Sequence, residues 1–157
     1  MTTHPVRYAE DYKVGDVFEL GERTISKEEI IVFSRQWDPH PFHVDEEAAK
    51  ATIFKGLIAS GWHVGLIMMR MLHEGGFLSA ETSAGSPGHD ELRWIKPVRP
   101  GDRLIGRVEV LGARMSKSRP DLGLISNHAT LRGPDGDVFY SLKSVAMIKA
   151  RGAAKPG

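Results

Sequence analysis

Leu57-Ile58-Ala59-Ser60-Gly61-Trp62-His63-Val64-Gly65-Leu66-Ile67-Met68-Met69-Arg70-Met71-Leu72-His73-Glu74 places apolar residues on nearly every side of a helical wheel. A helix that is apolar all round is a buried one, so residues 57–74 are predicted as a long helix enclosed by the rest of the chain. Gly61 and Gly65, one turn apart, would admit another backbone or a ligand, at about 1 kcal/mol each relative to alanine. Gly75-Gly76 ends the helix, and 79–88, rich in Ser and Gly, reads as a mobile loop. Downstream, runs at 92–95, 104–111, 122–131 and 138–148 are separated by turn-rich segments, which are hairpin signals. Upstream, Val14-Gly15-Asp16 turns into a first strand at 17–25. One strand, helices, a buried helix and then four strands imply an α+β domain: an antiparallel sheet with its helices gathered on one face. Residues 1–157 are expected to form that single domain, with 1–6 and 151–157 as loose tails.

Composition narrows the chemistry. The 157 residues carry a formal net charge of +1, which argues against a general nucleic-acid binder. No apolar run approaches a membrane span, and Met1-Thr2-Thr3-His4-Pro5 lacks a basic-then-apolar leader, so a cytoplasmic protein without membrane contact is expected. Cysteine is absent, excluding disulfides, thiolate nucleophiles, iron–sulfur clusters and cysteine-bound zinc. Any reaction must use His, Asp, Glu, Ser or backbone.

The segment leading to the long helix holds such groups. Ser26-Lys27-Glu28-Glu29 matches a capping box and opens a helix through Ile30, Ile31, Phe33, Ser34 and Trp37. That helix delivers the chain to Asp38-Pro39-His40-Pro41-Phe42-His43, where two prolines fix φ and remove N–H donors. The hexapeptide is expected to be neither helix nor ladder strand, stiff enough to pre-orient Asp38 and His43. A carboxylate and an imidazole sharing one water are a minimal acid/base set. Asp45 can then cap a short helix at 46–51.

At these residues the chain resembles the MaoC-like dehydratases, the group that includes the (R)-specific enoyl-CoA hydratases. Their signature, Asp, any residue, Asn, Pro, an apolar residue and His, matches 38–43 except at His40. Tyr12-Lys13-Val14-Gly15-Asp16 is similar to the family's opening, Phe54-Lys55-Gly56-Leu57-Ile58-Ala59-Ser60-Gly61 to its helix start, and Pro97-Val98-Arg99-Pro100-Gly101-Asp102 to its strand connection. The resemblance implies the hotdog fold, a sheet wrapped around one central helix. It implies reversible hydration of a 2-enoyl-CoA to the (R)-3-hydroxyacyl-CoA, with Asp38 and His43 holding the water and the Gly61 N–H binding the thioester oxygen. His40, Phe42, Ser60 and Trp62 are then expected beside the substrate. Ser60 stands where these hydratases often have His. Either His43 takes the water's proton while Asp38 protonates Cα, or Asp38 shuttles one proton while His43 orients the water.

Other readings stay open. A hotdog thioesterase would place a water-activating carboxylate on the long helix, whose only acid is Glu74 at its far end. A non-catalytic acyl-thioester binder would use the same tunnel. Asp38, His40, His43 and Asp45 have metal-ligand chemistry, but nothing in the sequence forces them to converge, and neither a metal nor a cofactor is expected. His63 and His73 are expected as partly buried or helix-end histidines, and Met68, Met69 and Met71 as core. Residues 93–120 carry eight basic side chains against Asp102 and Glu109. Arg93, Lys96, Arg99, Arg114, Lys117 and Arg119 are candidates for the phosphates of a CoA or carrier arm, whereas Arg103 and Arg107 read as a solvated strand face. A sheet with an unpaired edge predicts pairing with a second copy, as a homodimer or larger homo-oligomer.

Overall fold

The computed structural model describes residues 4–153. A 3-10 turn at Ala9–Asp11 precedes β1 (Val17–Thr24), α1 (Lys27–Trp37), α2 (Pro41–Val44), α3 (Glu46–Lys50) and α4 (Gly61–Glu74). Strands β2 (His89–Trp94), β3 (Arg103–Met115), β4 (Leu122–Arg132) and β5 (Val138–Lys149) follow. All five strands join one antiparallel sheet in the order β1-β3-β4-β5-β2. The sheet wraps α4 in the hotdog arrangement.

Strand alternation builds the core. Leu104, Gly106, Val108 and Val110 of β3 are buried between more exposed neighbours, the period of two that puts alternate side chains on one face. Leu104, Val108 and Val110 pack with Val64, Ile67, Met68 and Met71 of α4. Each such side chain, fully buried, contributes about 1.5–3 kcal/mol. At Gly106 sheet and helix come too close for a larger residue: a Cβ there would lie 2.7 Å from Met71 Cε and 3.0 Å from Leu20 Cβ. Gly65 is different: a Cβ there would lie an ordinary 3.5 Å from the Tyr140 hydroxyl.

The expected helix differs from the observed one in two ways. It starts at Gly61, because Ser60 caps it and Leu57–Ser60 is held extended by Ile58 N–H to Phe42 O (3.1 Å) and Ala59 N–H to Val98 O (2.8 Å). Nor is it enclosed. Trp62, Leu66 and Met69 are 62%, 57% and 37% exposed, a stripe at i, i+4 and i+7. Apolar periodicity reports what a helix carries and not what covers it.

Two segments expected to be loose are anchored. The Ala84 amide donates to Met147 O, the Met147 amide to Gly85 O and the Lys149 amide to Thr82 O, all at 2.8 Å, so 82–85 is strapped along β5. Arg151 sits over the Tyr8 ring and bonds both oxygens of Asp11 at 2.6 and 2.7 Å, tying the end of β5 to the first turn. Residues 1–3 and 154–157 of the expected tails lie outside the described residues. Among the described residues, no helix is long and apolar enough to cross a membrane.

Candidate active site

Three elements converge around Asp38. The capping box that starts α1 is formed as expected, with Ser26 Oγ accepting from Glu29 N–H and Glu29 Oε2 from Ser26 N–H. At the other end Asp38 caps α1, its N–H bonding Ser34 O at 2.9 Å. The next step corrects the sequence reading. Pro41 does not exclude helix; it occupies the first position of α2, a single turn that carries Phe42 and His43. A proline there loses no intrahelical bond and arrives with helical φ.

His43 is 5% exposed, and its Nδ1 lies 2.8 Å from Ile58 O. A carbonyl can only accept, so Nδ1 carries the hydrogen and Nε2 of the neutral ring presents a lone pair. Nε2 lies 3.3 Å from Asp38 Oδ2, itself an acceptor. Two acceptors aimed at one spot are satisfied together by a water that donates one O–H to each. The ring is braced by Phe42, edge-on at 4.5 Å between centroids.

Asp38 Oδ2 also accepts from Ser60 Oγ at 2.7 Å, while Oδ1 lies 2.5 Å from His40 Nδ1. Burial pushes the Asp38 carboxyl up, but the hydrogen bonds from Ser60 and His40 outweigh it and hold the group below the usual carboxylate range. Ser60 is fully buried, so it meets Asp38 and the Trp62 N–H (3.3 Å) rather than the cavity. His40 lies outside the cavity wall on the solvent side of Asp38.

Asp38, His40 and His43 do converge, contrary to the sequence expectation: their ligand-type atoms lie within 4.8 Å of one another. The 2.5 Å contact between His40 Nδ1 and Asp38 Oδ1 is a hydrogen bond. Two ligands around a tetrahedral zinc would stand about 3 Å apart. Asp45 is elsewhere, capping α3 through the Glu47 and Ala48 amides at 2.9 Å each.

A cavity of about 380 Å³ opens from Asp38 and His43 and is walled by Phe42, Phe54, Val64, Trp94 and Phe139. Gly61 and Trp62 line it too. The Gly61 N–H, at the first position of α4, has no acceptor among the described residues. A Cβ on Gly61 would lie 2.4 Å from Trp94 Cε2, and the indole Nε1–H donates to Gly61 O at 2.8 Å. Glycine is required there by close approach. Trp94, Phe54 and Phe139 were not expected as cavity residues from the sequence; only strand register and the wrap of the sheet bring Trp94 to Gly61.

Of the basic candidates, Lys96 alone lines this cavity, paired with Asp137 at 2.8 Å and lying over the Phe139 ring at 5.1 Å. Arg99 bonds Phe54 O and so pins the 54–56 turn. Arg119 is spent on Asp121 at 2.7 Å. Arg103 and Arg107 face Glu22 and Glu19 at 3.5 and 3.6 Å, the solvated face expected of them. His63 is buried against Phe33, ring on ring at 4.6 Å, and His73 is exposed in the last turn of α4.

Comparison with known proteins places this geometry. A family profile described as a MaoC like domain matches residues 11–130. An (R)-specific enoyl-CoA hydratase of Rhodospirillum rubrum is 33% identical over 94% of this chain and 95% of its own length. The uncharacterized protein YdeM of Bacillus subtilis (strain 168) is 35% identical over 74% of this chain and 81% of its own. The crystal structure of the MaoC-like dehydratase from Rhodospirillum rubrum superposes with a TM-score of 0.86 at 36% identity, covering 92% of this chain and 98% of that one.

Proposed function

The chain belongs to the MaoC-like dehydratase family, and from that premise we propose that it hydrates a 2-enoyl-CoA reversibly to the (R)-3-hydroxyacyl-CoA, with Asp38 and His43 as the reacting pair. The observation that carries this reading is the His43 Nδ1–Ile58 O bond of 2.8 Å, which turns the Nε2 lone pair toward Asp38 Oδ2 at the cavity mouth. A water held there is aimed at whatever the cavity admits.

The state of Asp38 supports one of the two divisions of labour. Delivering a proton to Cα while His43 takes another from water requires Asp38 to begin protonated, and its hydrogen bonds favour the anion. A single proton in transit avoids this. Water oxygen bonds C3, its O–H proton passes to Asp38 Oδ2, and the π pair moves toward the carbonyl as an enolate. Asp38 then gives that proton to Cα and returns to the anion, while His43 Nε2 orients the water through its second O–H. Both new bonds form on one face. Negative charge develops on the thioester oxygen, where the Gly61 N–H at the start of α4 stabilises it; such a donor contributes about 2.7–4 kcal/mol. No cofactor or metal enters the proposed chemistry.

The aromatic and aliphatic wall of the cavity suits an acyl group. Lys96 at its rim is the proposed contact for a CoA phosphate. A thioesterase is disfavoured because Glu74, the only acid of α4, is paired with Arg70 outside this cavity. We assign the exposed stripe of α4 to a second copy of the chain. Trp62 of the stripe meets Trp94 of edge strand β2 at 5.3 Å between centroids, so apolar stripe and unpaired edge are continuous. A two-fold partner brings the same two features.

The reading is tested by incubating the protein with crotonyl-CoA in deuterated water and following products by NMR. Expected are (R)-3-hydroxybutyryl-CoA and deuterium at Cα. Free CoA thiol without hydration would move the assignment to a thioesterase, and unchanged crotonyl, branched and aromatic enoyl-CoAs would leave a binding protein.

A further inference from the structure

His40 is the one position of the hexapeptide that departs from the family signature, and it makes the shortest polar contact at the site. Its Nδ1 lies 2.5 Å from Asp38 Oδ1. The other carboxylate oxygen is engaged by Ser60 Oγ at 2.7 Å and faced by His43 Nε2 at 3.3 Å. Bonds on both oxygens from opposite sides fix the carboxylate plane, which a single bond would leave free to turn. We propose that His40 is a positioning residue for Asp38, clamping Oδ1 so that Oδ2 stays turned toward His43.

The clamp is itself held. The His40 ring stacks on Phe42 at 5.1 Å and 16°. Its backbone N–H donates to Asp38 O at 2.8 Å, and Pro39 and Pro41 restrict φ on either side. The side chain is 63% exposed, whereas that of His43 is 7% exposed. The titratable groups facing His40 are Asp38, from the end of α1, and His43 of α2, whose ring is edge-on at 6.1 Å; from the start of α4 only the neutral Ser60 hydroxyl reaches the carboxylate. An asparagine amide keeps a donor at this position, which separates loss of the hydrogen bond from loss of the ring.

The inference rests on the proposed reaction but has a readout independent of it. Wild type, His40→Asn and His40→Ala are compared by the pH profile of kcat and KM for crotonyl-CoA hydration, and by the pH titration of the Asp38 carboxyl carbon in NMR. For His40→Ala we expect kcat to drop about tenfold or more with KM little changed. Its acid limb and the Asp38 midpoint should both move up. His40→Asn should recover most of kcat while moving the Asp38 midpoint part of the way. An Asp38 midpoint unchanged in His40→Ala overturns the proposal even if no enoyl thioester is turned over. A rise in KM alone, with an unmoved acid limb, makes His40 a substrate contact instead.

Discussion

Ser60 Oγ donates to Asp38 Oδ2 at 2.7 Å across 22 residues of sequence, joining the end of α1 to the start of α4. One hydroxyl thereby caps the central helix, through the Trp62 N–H, and orients the carboxylate proposed to move the proton. The Asp38 carboxylate and the Gly61 N–H, the proposed oxyanion donor, are therefore positioned together.

Ser60→Ala removes both links. The loss of the cap is expected to cost about 1 kcal/mol, read as a lower denaturation midpoint at unchanged m. Hydration should fall by at least tenfold, mainly in kcat, because a carboxylate hydrogen bond is worth about 1.5–3 kcal/mol. A variant destabilised but fully active would separate the cap from the carboxylate.

Gly61→Ala should lower stability by about 1–3 kcal/mol, since its Cβ would stand 2.4 Å from Trp94 Cε2. Replacing Trp94 by Ala in the same chain should recover part of that loss. A double-mutant cycle by chemical denaturation measures the coupling, and strict additivity would show that the indole is not what requires glycine at 61.

Leu66 lies at the middle of the exposed stripe of α4. With a second copy covering it, light scattering after size exclusion should give a dimer or larger assembly for wild type and a monomer for Leu66→Glu. Equal masses for the two proteins would assign the stripe to something other than self-association.

His63 supplies a pH dependence of stability. Burial holds it below its usual value, the nearby Glu29 opposing this and Arg23 adding to it. Folding then favours the neutral ring, so the unfolded chain binds a proton that the folded one does not. Stability is full above about pH 6.5 and declines as pH falls below it toward the folded value. His63→Gln should flatten the fall of Tm between about pH 6.5 and 5; parallel Tm curves would show that His63 does not titrate across the transition.

What the sequence made legible was local. The box of Ser26 and Glu29, the cap at Asp45 and the β3–β4 and β4–β5 hairpins each rest on residues a few positions apart, and each is present; the hairpin expected across 97–102 is not, because β2 pairs with β5 and β3 with β1. Proline chemistry was read too generally at Pro41, where the first position of a helix accepts the residue that its interior rejects. Segment 82–85 looked loose because its Ser and Gly content hides backbone pairing with β5. Trp94 at Gly61, and the bond from Ser60 to Asp38, depend on how the sheet closes over α4, which no short window contains. The family resemblance at 38–43 and 54–61 compensated for this by naming Asp38, His43 and Gly61 together as candidates.

The most direct measurement is the rate of crotonyl-CoA hydration, followed at the enoyl-thioester absorbance band, for wild type, Asp38→Asn and His43→Ala, each first shown to be folded. Each substitution is expected to lower kcat by about 10²–10⁴-fold, the usual range for a positioned acid/base group. Hydration at the wild-type rate in either variant would contradict the assignment of Asp38 and His43 as the reacting pair.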